Sequence, residues 1–528
     1  MADIHYKKTG DVFNQHSYWT KQPVDAIAYY VEKYTKQDDL VLDPFSGSGM
    51  TGIAAQLTGR RSILSDLSPA AIHITRGYNQ TVTFSKQHLD EALSKIYDAI
   101  SPLYKTACIN CGRDVEIRYQ IIGEVYRAND DGELYSDAIN QFEAIKSGNA
   151  YKSPINNKTH TFDHYKTIKY CYVCTCQKEK FFKDLDKKDL LHLKEIDGVK
   201  KDFPNDLFFG KEAKRNLKKK IIKVKDLYSS RNLVALNRLL SEIKKNKNQE
   251  LKTFLLFNFS AILFNCSLMS RYREYENTSI KMGTYYVPAV IKDNNVLISF
   301  LRKAEKNYQA KLNLSKNFKS TDVKVSEADA TNLKNIKDST IDFIYTDPPY
   351  VDIINYSELN LVWESWLSIH KKTNNEMIVC EEENKSIDYY YKLFASFLKE
   401  ASRVLKKDGY MVMIFHHPNL SYWGRLQELL LESNFSIEVT DQPTRLVSQN
   451  KTSSQHKTNK NTQSFIGIIL KNKKKSSNNK KLPLLTKEIM DRIKKDAIQS
   501  GYISISEQYD YLINYAINRY DLRELVFE

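Results

Sequence analysis

The segment from Leu40 to Asp66 constrains the fold of this chain more than any other stretch. A short apolar run, LVLD, leads into the glycine turn PFSGSG, and the residues up to Gly59 then follow a helical pattern. A second apolar run, SILSD, ends on Asp66. Strand, tight glycine turn, helix and strand in this order are typical of the start of a doubly wound sheet. We therefore predict an α/β fold.

The alternation of strands and helices stops near Thr81 and resumes at Val323. The later patterns are a strand ending at Asp329, a strand ending in DPPY, a helix predicted to end at Gly409, the strand YMVMIFHH, a helix, and the strands SIEVTDQP and SFIGIIL. Together the two parts predict about seven strands with helices between them. This number suits one Rossmann-like sheet that is split by a large, mostly helical insertion.

A length of 528 residues is too great for one simple core, and changes in composition predict four segments. Residues 1–80 would form the first part of the α/β domain, and residues 81–320 the insertion. Residues 321–472 would complete the α/β domain, and residues 473–528 would form a basic linker and a helical tail. A polar tract at 448–463 is predicted to be a long loop.

The net charge of +15 suits a polyanionic partner such as nucleic acid, although a lysine-rich proteome would produce the same excess. The first residues lack the apolar stretch of a signal peptide, which indicates a cytoplasmic protein. The longest apolar run, from Leu251 to Ser270, is interrupted by Asn258 and Asn265. It is therefore predicted to be a buried helix and not a membrane span.

Three acids follow predicted strands of the α/β pattern: Asp43, Asp66 and Asp329. The glycine turn lacks the GKS or GKT ending of a phosphate loop, so three carboxylates would face one ligand without a basic residue in the turn. This arrangement fits a cationic cofactor, and S-adenosylmethionine has the matching groups. Asp43 would accept from its ammonium, Asp66 from its ribose hydroxyls and Asp329 from its adenine amine. The alternative is an ordinary turn whose glycines only permit close packing.

The stretch DPPY, from Asp347 to Tyr350, together with DPFSGSG resembles the amino-methyltransferases of DNA. That family has a D/N/S-P-P-Y/F/W motif after its fourth strand and F-x-G-x-G after its first. The resemblance implies that Asp347, Pro348, Pro349 and Tyr350 are catalytic and that Phe45, Gly47 and Gly49 bind the cofactor. HSYWTKQPV also resembles the leading motif of the family, whose helix contacts the methionine end of the cofactor.

The chemistry of an exocyclic amine accounts for these residue types. The lone pair of that amine is conjugated into the base, so its protons must be engaged as the nitrogen attacks. Asp347 would accept one N–H and the carbonyl of Pro348 the other, while Tyr350 would stack on a base flipped from the duplex. An initial Asp favours adenine N6 in this family. Cytosine N4, RNA or protein glutamine methylation and a silent DNA-binding protein are the alternatives.

Five of the seven cysteines lie between Cys108 and Cys176. Paired CxxC turns in a reducing compartment are typical of structural zinc sites, and we predict Cys108, Cys111, Cys171 and Cys174 as ligands. Cys176 competes for the fourth position, and reduced structural thiols are the alternative to a metal. His160 and His164 are predicted to be surface residues.

Downstream of the cysteines, a lysine-rich helical stretch contains LYSSRNLVALNRL, which resembles the insertion of large bacterial adenine-specific methylases with a zinc knuckle. Its basic residues, and the loop at 448–463, would contact phosphates of double-stranded DNA, or would simply form a solvated surface. RYREY at 271–275 and the pair Tyr285 and Tyr286 would line the DNA cleft or pack internally. Because the insertion lies between the cofactor and catalytic motifs, it is the predicted target-recognition segment. Restriction or phage-defence partner proteins, or an orphan role, all stay open.

Overall fold

The computed structural model describes residues 3–6, 10–128, 134–135, 146–147, 150–152, 159–199, 202–273, 280–370, 375–417, 419–438, 445–448, 465–474, 482–500, 505–517 and 519–522. The predicted loop at 448–463 lies outside the described residues except for Ser448, and the predicted basic linker is described only up to residue 474. The end of the RYREY stretch also lies outside the described residues. The side chain of His160 also lies outside them.

The elements fall into three successive parts of the chain. The first part forms β1 (Asp3–Tyr6), α1 (Val24–Tyr34), β2 (Leu40–Asp43), α2 (Met50–Thr58), β3 (Arg61–Asp66) and α3 (Pro69–Asn79). The middle part forms α4 (Lys86–Ile100), β4 (Lys105–Ala107), β5 (Asp114–Ala128), β6 (Leu134–Tyr135), β7 (Lys146–Ser147), β8 (Ala150–Lys152), β9 (Thr159–Val173), β10 (Lys180–Asp184), α5 (Lys187–Asp197), α6 (Gly210–Lys214), α7 (Ser230–Lys244), α8 (Gln249–Ile262), β11 (Val290–Asn294) and α9 (Val296–Ser315). The last part forms β12 (Val323–Glu327), β13 (Ile341–Thr346), α10 (Tyr356–Leu367), α11 (Ile387–Val404), β14 (Leu405–Phe415), α12 (Leu420–Glu432), β15 (Phe435–Ile437), β16 (Arg445–Ser448), β17 (Phe465–Asn472), α13 (Lys487–Gln499) and α14 (Ile505–Ala516).

The first and last parts share one sheet, in which nine strands are described. Its order is β1, β16, β17, β14, β13, β2, β3, β12, with β15 paired to β17. The five strands from β14 to β12 are parallel, whereas β17 runs antiparallel to its neighbours. All seven predicted strands are present in this sheet, and β1 and β16 are the two that the prediction lacked. The predicted α/β class is therefore confirmed.

The order in which the strands are added to the sheet reverses between β2 and β13. From β2 the sheet continues outward through β3 to β12, whereas β13 continues in the other direction to β14. In open α/β sheets, ligands bind beyond the carboxyl ends of the strands at such a switch point. Here those two strand ends lead into Asp43 and Asp347, which are far apart in sequence but adjacent across the sheet.

The helix that precedes β14 ends earlier than its sequence pattern predicts. The prediction placed its end at Gly409, but α11 ends at Val404, and β14 begins at Leu405 and runs through Gly409. Leu405 is fully buried and pairs with Ile341 of β13 before an irregularity in the register. Burial in the sheet therefore outweighs the helical pattern of the lysine-rich stretch that follows.

The middle part was predicted to be mostly helical, but it also forms a second sheet. The long strands β5 and β9 pair antiparallel over nearly their whole lengths, and the described strands of this sheet number eight. Helices α4, α7, α8 and α9 contribute to the larger of the two main hydrophobic clusters, which also includes residues of α1 and α3. The middle part is thus a mixed α and β structure that shares its core with the first sheet.

Ser260 on α8 joins the middle part to the first part. Its hydroxyl lies 2.9 Å from Nε2 of His16 and 2.9 Å from Nε2 of His73, and its carbonyl accepts from Nε1 of Trp363 at 3.1 Å. The apolar run predicted to be a buried helix begins in α8, whose inner residues are buried. Within the described ranges, no helix combines the length and the hydropathy needed to cross a membrane.

The C-terminal helices α13 and α14 pack against helices of the last part of the chain. Residues of both helices belong to the second hydrophobic cluster together with α11 and α12. The side chain of Gln427 on α12 donates to the carbonyls of Ile517 and Tyr520, at 2.7 Å in each case. The predicted helical tail is therefore packed into the domain.

Candidate active site and cysteine cluster

A pocket lies beyond the carboxyl ends of β2, β3 and β13. Of the residues predicted from the sequence, Asp43, Phe45, Gly47, Asp66, Asp329, Asp347 and Pro349 line it. These residues come from widely separated stretches of the chain, because parallel strands present their carboxyl ends at one edge of the sheet. Gly49, Pro348 and Tyr350 lie beside this lining.

Asp43 sits at the bottom of the glycine turn. Its side chain accepts from the hydroxyl of Thr51 at 2.5 Å and from the backbone N–H of Phe45 at 3.1 Å. Burial, which disfavours the charged form, raises the pKa of Asp43 to about 7 in spite of these two donors. A cationic group placed in the pocket would favour the charged form again.

Asp66 is tied to the glycine turn through the backbone. Gly47 N–H donates to one carboxylate oxygen at 2.9 Å, and Ser68 N–H donates to the other at 2.9 Å. Burial raises the pKa of Asp66 to about 6. Gly47 has a φ of 50°, and a Cβ there would lie 3.0 Å from the Tyr18 ring. This position therefore needs glycine both for its backbone conformation and for the close ring contact.

Gly49 serves packing and not the lining of the pocket. It caps the N-terminus of α2 with a φ of 78°, and a Cβ would come within 2.7 Å of Asn79 and 2.8 Å of Thr75. Asp329 lies two residues beyond β12, where its carboxylate accepts from Thr331 N–H at 2.8 Å and from the Asn375 amide at 3.0 Å.

The carboxylate of Asp347 is held from two sides. The Gln22 amide donates to Oδ2 at 2.6 Å, and the hydroxyl of Tyr350 donates to Oδ1. Burial raises the pKa of Asp347 to about 6, against the opposite effect of these two donors. The carboxyl is therefore largely ionised at neutral pH and can accept a further N–H.

The backbone of the DPPY stretch is fixed by its neighbours. The carbonyl of Pro349 accepts from the hydroxyl of Tyr390 at 2.8 Å. The residue after the DPPY stretch, Val351, is 1% exposed and has a φ of 54°, which is strained for a β-branched residue. Its carbonyl accepts from Val379 N–H at 2.9 Å. Surrounding contacts thus hold a conformation that costs about 1–3 kcal/mol, as is common at functional sites.

Tyr350 is half-buried and directly follows Pro349, which lines the pocket. Its ring packs edge-on against Phe415, with 5.3 Å between the ring centroids. Burial raises the pKa of Tyr350 well above its ordinary value, so the hydroxyl stays protonated and acts as the donor to Asp347.

Several residues that line the pocket were not predicted from the sequence. Gln22 and Tyr18 lie within the quoted HSYWTKQPV stretch, so that motif pointed to the right region. Tyr356, Glu364 and Glu376 come from α10 and the loop after it, where no motif signals them. Glu376 accepts from Ser357 N–H at 3.0 Å, and burial raises its pKa.

The cysteine cluster lies at one end of the second sheet and consists of Cys108, Cys111, Cys174 and Cys176. Their four sulfur atoms lie within 4.8 Å of one another, with 3.8 Å between Cys108 and Cys176 and 3.6 Å between Cys111 and Cys174. A tetrahedron with zinc–sulfur bonds of about 2.3 Å has sulfur–sulfur edges of about 3.8 Å. The described geometry therefore fits a four-cysteine metal site.

Two similar turns build this cluster. Gly112 N–H donates to the carbonyl of Cys108 at 2.9 Å, and Lys178 N–H donates to the carbonyl of Cys174 at 3.0 Å. Gly112 and Lys178 both have left-handed φ values, of 68° and 57°. Each turn thus folds its pair of cysteines around the same point.

Cys171 is outside this group, so the predicted ligand set needs one correction. Cys171 lies inside β9, next to Tyr172, whose side chain packs with Cys108 and Cys174. Because neighbouring residues of a strand point to opposite faces, Cys171 faces away from the other sulfur atoms. Cys176, named as the rival, takes the fourth position.

The LYSSRN part of the basic stretch is structural. Arg231 is 1% exposed and donates to the carbonyl of Leu103 at 2.8 Å and to the hydroxyl of Tyr170 at 2.6 Å. Asn232 is fully buried and donates to Asp293 at 2.7 Å. Arg231 therefore cannot be one of the predicted phosphate contacts.

Exposed lysines lie on the neighbouring segment around α6. Lys214, Lys218 and Lys220 are exposed, whereas Ala213 N–H donates to Glu358 on α10 at 2.9 Å. This bond fixes the basic segment to the helix that follows the DPPY stretch. Tyr285 is buried and donates to the carbonyl of Glu358 at 2.7 Å, so its role is internal packing.

A family model described as DNA methylase, of the N6 and N4 type, matches residues 2–77 and 341–513. The chain is also 33% identical over 82 residues to a type II methyltransferase, M2.MboI, of Moraxella bovis, covering 15% of this chain and 30% of that protein. It is 37% identical over 73 residues to a type II methyltransferase, M2.DpnII, of Streptococcus pneumoniae, covering 13% of this chain and 27% of that protein. The matches thus span less than a third of each relative's length.

The two segments matched by the family model contain the glycine turn and the DPPY stretch, respectively. The family model leaves the residues between them, 78–340, unmatched. Residues 2–77 and 341–513 together form a domain of the N6 and N4 family of DNA methylases.

Proposed function

We propose that this protein is a site-specific DNA methyltransferase that methylates the exocyclic N6 amine of a flipped adenine and uses S-adenosylmethionine. One observation carries the proposal: Asp347 lines the same pocket as Asp43 and Asp66 at the switch point of the sheet. A group that engages an amine and groups that suit a cationic nucleoside therefore face one space. The initial Asp of the DPPY stretch supports adenine over cytosine N4.

The cofactor would supply an electrophilic methyl group on a sulfonium. Asp43 would bind its ammonium, Asp66 its ribose hydroxyls and Asp329 its adenine amine, while Phe45 and Gly47 shape the space between them. The buried, partly protonated carboxyls of Asp43 and Asp66 suit a cation, because its positive charge offsets the unfavourable burial of their negative charge.

Asp347 would accept one hydrogen of the target amine, and the carbonyl of Pro348 the other. Both contacts draw the nitrogen lone pair out of conjugation and towards the methyl group. Pro349 fixes the backbone corner, and Tyr350 would stack on the base after it leaves the duplex. The half-buried position of the Tyr350 ring beside the pocket supports this role.

The middle part, residues 81–320, would recognise the target, and residues 321–472 would complete the methyltransferase domain begun by residues 1–80. A zinc ion held by Cys108, Cys111, Cys174 and Cys176 would stabilise the end of the long hairpin. The exposed lysines around α6 would contact phosphates of double-stranded DNA.

Modification-sensitive sequencing of DNA from cells that express the protein tests this proposal. We expect N6-methyladenine at one recurring sequence, and none in cells that express Asp347→Ala. Marks that survive in Asp347→Ala would overturn the assignment of Asp347. Methyl marks on cytosine N4 would show that cytosine and not adenine is the target base, and would leave the assignment of the catalytic pocket unchanged.

A further inference from the structure

Gln22 occupies a constrained place next to the candidate catalytic carboxylate. It lies in the loop before α1, is followed by Pro23, and is 8% exposed. It lines the same pocket as Asp43 and Asp347. It belongs to the HSYWTKQPV stretch and to neither the DPPY stretch nor the glycine turn, and the fold brings it against Asp347.

The side chain of Gln22 makes one described hydrogen bond, from Nε2 to Oδ2 of Asp347 at 2.6 Å. Its other polar atom, Oε1, is buried and has no hydrogen-bond partner among the described residues. Turning the amide over would place that oxygen against a carboxylate oxygen, which is unfavourable. The orientation of the Gln22 amide is therefore set by Asp347 alone.

Asp347 in turn has one donor on each oxygen, Gln22 on Oδ2 and Tyr350 on Oδ1. A carboxylate accepts about four hydrogen bonds, so both oxygens keep capacity for the N–H of a substrate. Two donors on opposite sides define the plane of the carboxylate. Tyr350 must also serve the base, whereas Gln22 has no other described partner.

We propose that Gln22 is a positioning residue that holds the Asp347 carboxylate in the orientation in which it accepts the amine of the target base. This inference rests on the proposed function. Because a donor to the charged form favours that form, Gln22 also opposes the effect of burial on the pKa of Asp347. Loss of the amide would therefore change the pH range in which the carboxyl is ionised.

The other ionisable groups that face Asp347 are Asp43 at the end of β2, Tyr350 of its own loop and Tyr356 of α10. Substitutions at Gln22 leave all three in place. A change in the pH profile of a Gln22 variant would then report the missing amide. Gln22→Leu removes the donor at similar length, and Gln22→Glu keeps the shape but brings a second carboxyl. Exposed Gln37 offers the control Gln37→Leu.

The test is the single-turnover rate of DNA methylation between pH 5 and 9, at saturating S-adenosylmethionine and DNA. For the wild type we expect the rate to rise with pH and then level off. In Gln22→Leu the midpoint should move upward by about one pH unit, as expected for loss of a hydrogen bond to a charged group. Gln22→Glu should move it further, and Gln37→Leu should match the wild type.

Cofactor and DNA affinities should change by less than about twofold in Gln22→Leu, because the residue acts through Asp347. An unchanged midpoint in both Gln22 variants would overturn the inference, and so would a change confined to cofactor affinity. If Gln22→Leu fails to fold, Gln22→Asn, which is too short to reach Asp347, should show the same upward shift. A wild type that methylates no DNA would instead refute the proposed function.

Discussion

The pocket and the cysteine cluster differ in how far their residues lie apart and in how well the sequence predicted them. Asp43 and Asp329 come from the first and last parts of the chain, yet the strand-end acids of the pocket were predicted as one group. The sulfur pairs 3.6 and 3.8 Å apart join cysteines that are 63 and 68 positions apart, but Cys171, one of the four predicted ligands, lies outside the cluster. Distance along the chain is thus a poor guide to how predictable a site is.

Topology explains the difference. In a parallel sheet every strand ends at the same edge. A residue just after a strand therefore reaches the pocket whichever face of the sheet the last side chain of the strand occupies. In the hairpin of β5 and β9, the position of a residue along the strand decides which face its side chain occupies. Cys171, inside β9, therefore faces away, whereas Cys174, just beyond the end of β9, joins the cluster. The pairing of these strands shifts register at three places, which the sequence does not reveal.

Loss of a metal from the cysteine cluster should give the largest difference between the two regions, because it should affect the hairpin and leave the pocket unchanged. We expect Cys176→Ser to lose its zinc, of which the wild type holds about one per chain, and to open the hairpin to limited proteolysis. A structural zinc site contributes roughly 10 kcal/mol or more. Elemental analysis and proteolysis check this, and cofactor binding should persist. Cys171→Ser is the matched control and should keep its zinc; the reverse outcome would restore the set predicted from the sequence.

Asp347→Asn should affect only the pocket. We expect methyl transfer to fall roughly 10²- to 10³-fold, the loss typical of one transition-state contact in a buried site. The melting temperature should not fall, because burial already raises the pKa of Asp347 to about 6 and disfavours its charge. Rate measurements and thermal melting check both expectations. Asp338→Asn, at an exposed acid that pairs with Arg403, should keep full activity.

Asn232→Ala should destabilise the middle part. Asn232 is fully buried, donates to Asp293 and the carbonyl of Cys266, and accepts from the hydroxyl of Tyr104 at 2.7 Å. Unpaired buried partners cost about 1–3 kcal/mol, and we expect a loss of this size in the free energy of unfolding. Asn237→Ala, at a half-buried position of the same helix where the amide donates only to the carbonyl of Asp202, should cost less than about 0.5 kcal/mol. Denaturant unfolding compares them, and equal losses would contradict the structural role of Asn232.

The smallest effect should be the pH dependence of cofactor affinity. Burial raises the pKa of Asp43 to about 7 and that of Asp66 to about 6, so both carboxyls are partly neutral in weakly acidic solution. Because these pKa values lie above those of the unfolded chain, the stability that the two groups contribute is greatest at low pH and is lost as the pH rises through 6 and 7.

A cation prefers the ionised forms, so affinity for S-adenosylmethionine should rise with pH and level off above about pH 7. Two carboxyls that ionise near pH 6 and 7 limit the rise to about tenfold per pH unit for each of them. Calorimetric titration between pH 5.5 and 8.5 measures the effect, and Asp43→Asn should bind more weakly with a flatter profile. An affinity of the wild type that is constant over this range would contradict the assignment of Asp43.

The sequence predicted the elements of the first sheet because their periodicity and glycine turns are local properties. β5 also has a local signal, the alternating residues Val115, Ile117, Tyr119 and Ile121. The prediction for this region relied on the neighbouring cysteine pairs and did not include the strand. The contact of Gln22 with Asp347 could not be predicted, because it depends on the packing of a loop against a strand end far along the chain. Burial of Arg231 likewise depends on tertiary contacts and not on its basic neighbours.

Nucleoside mass spectrometry tests the central claim most directly. Purified protein is incubated with double-stranded DNA and with S-adenosylmethionine that carries an isotopically labelled methyl group. The account predicts label in N6-methyladenine with the wild type and a roughly 10²- to 10³-fold lower yield with Asp347→Asn. Label that appears at the same rate with Asp347→Asn, or in no nucleoside of the DNA, would contradict it.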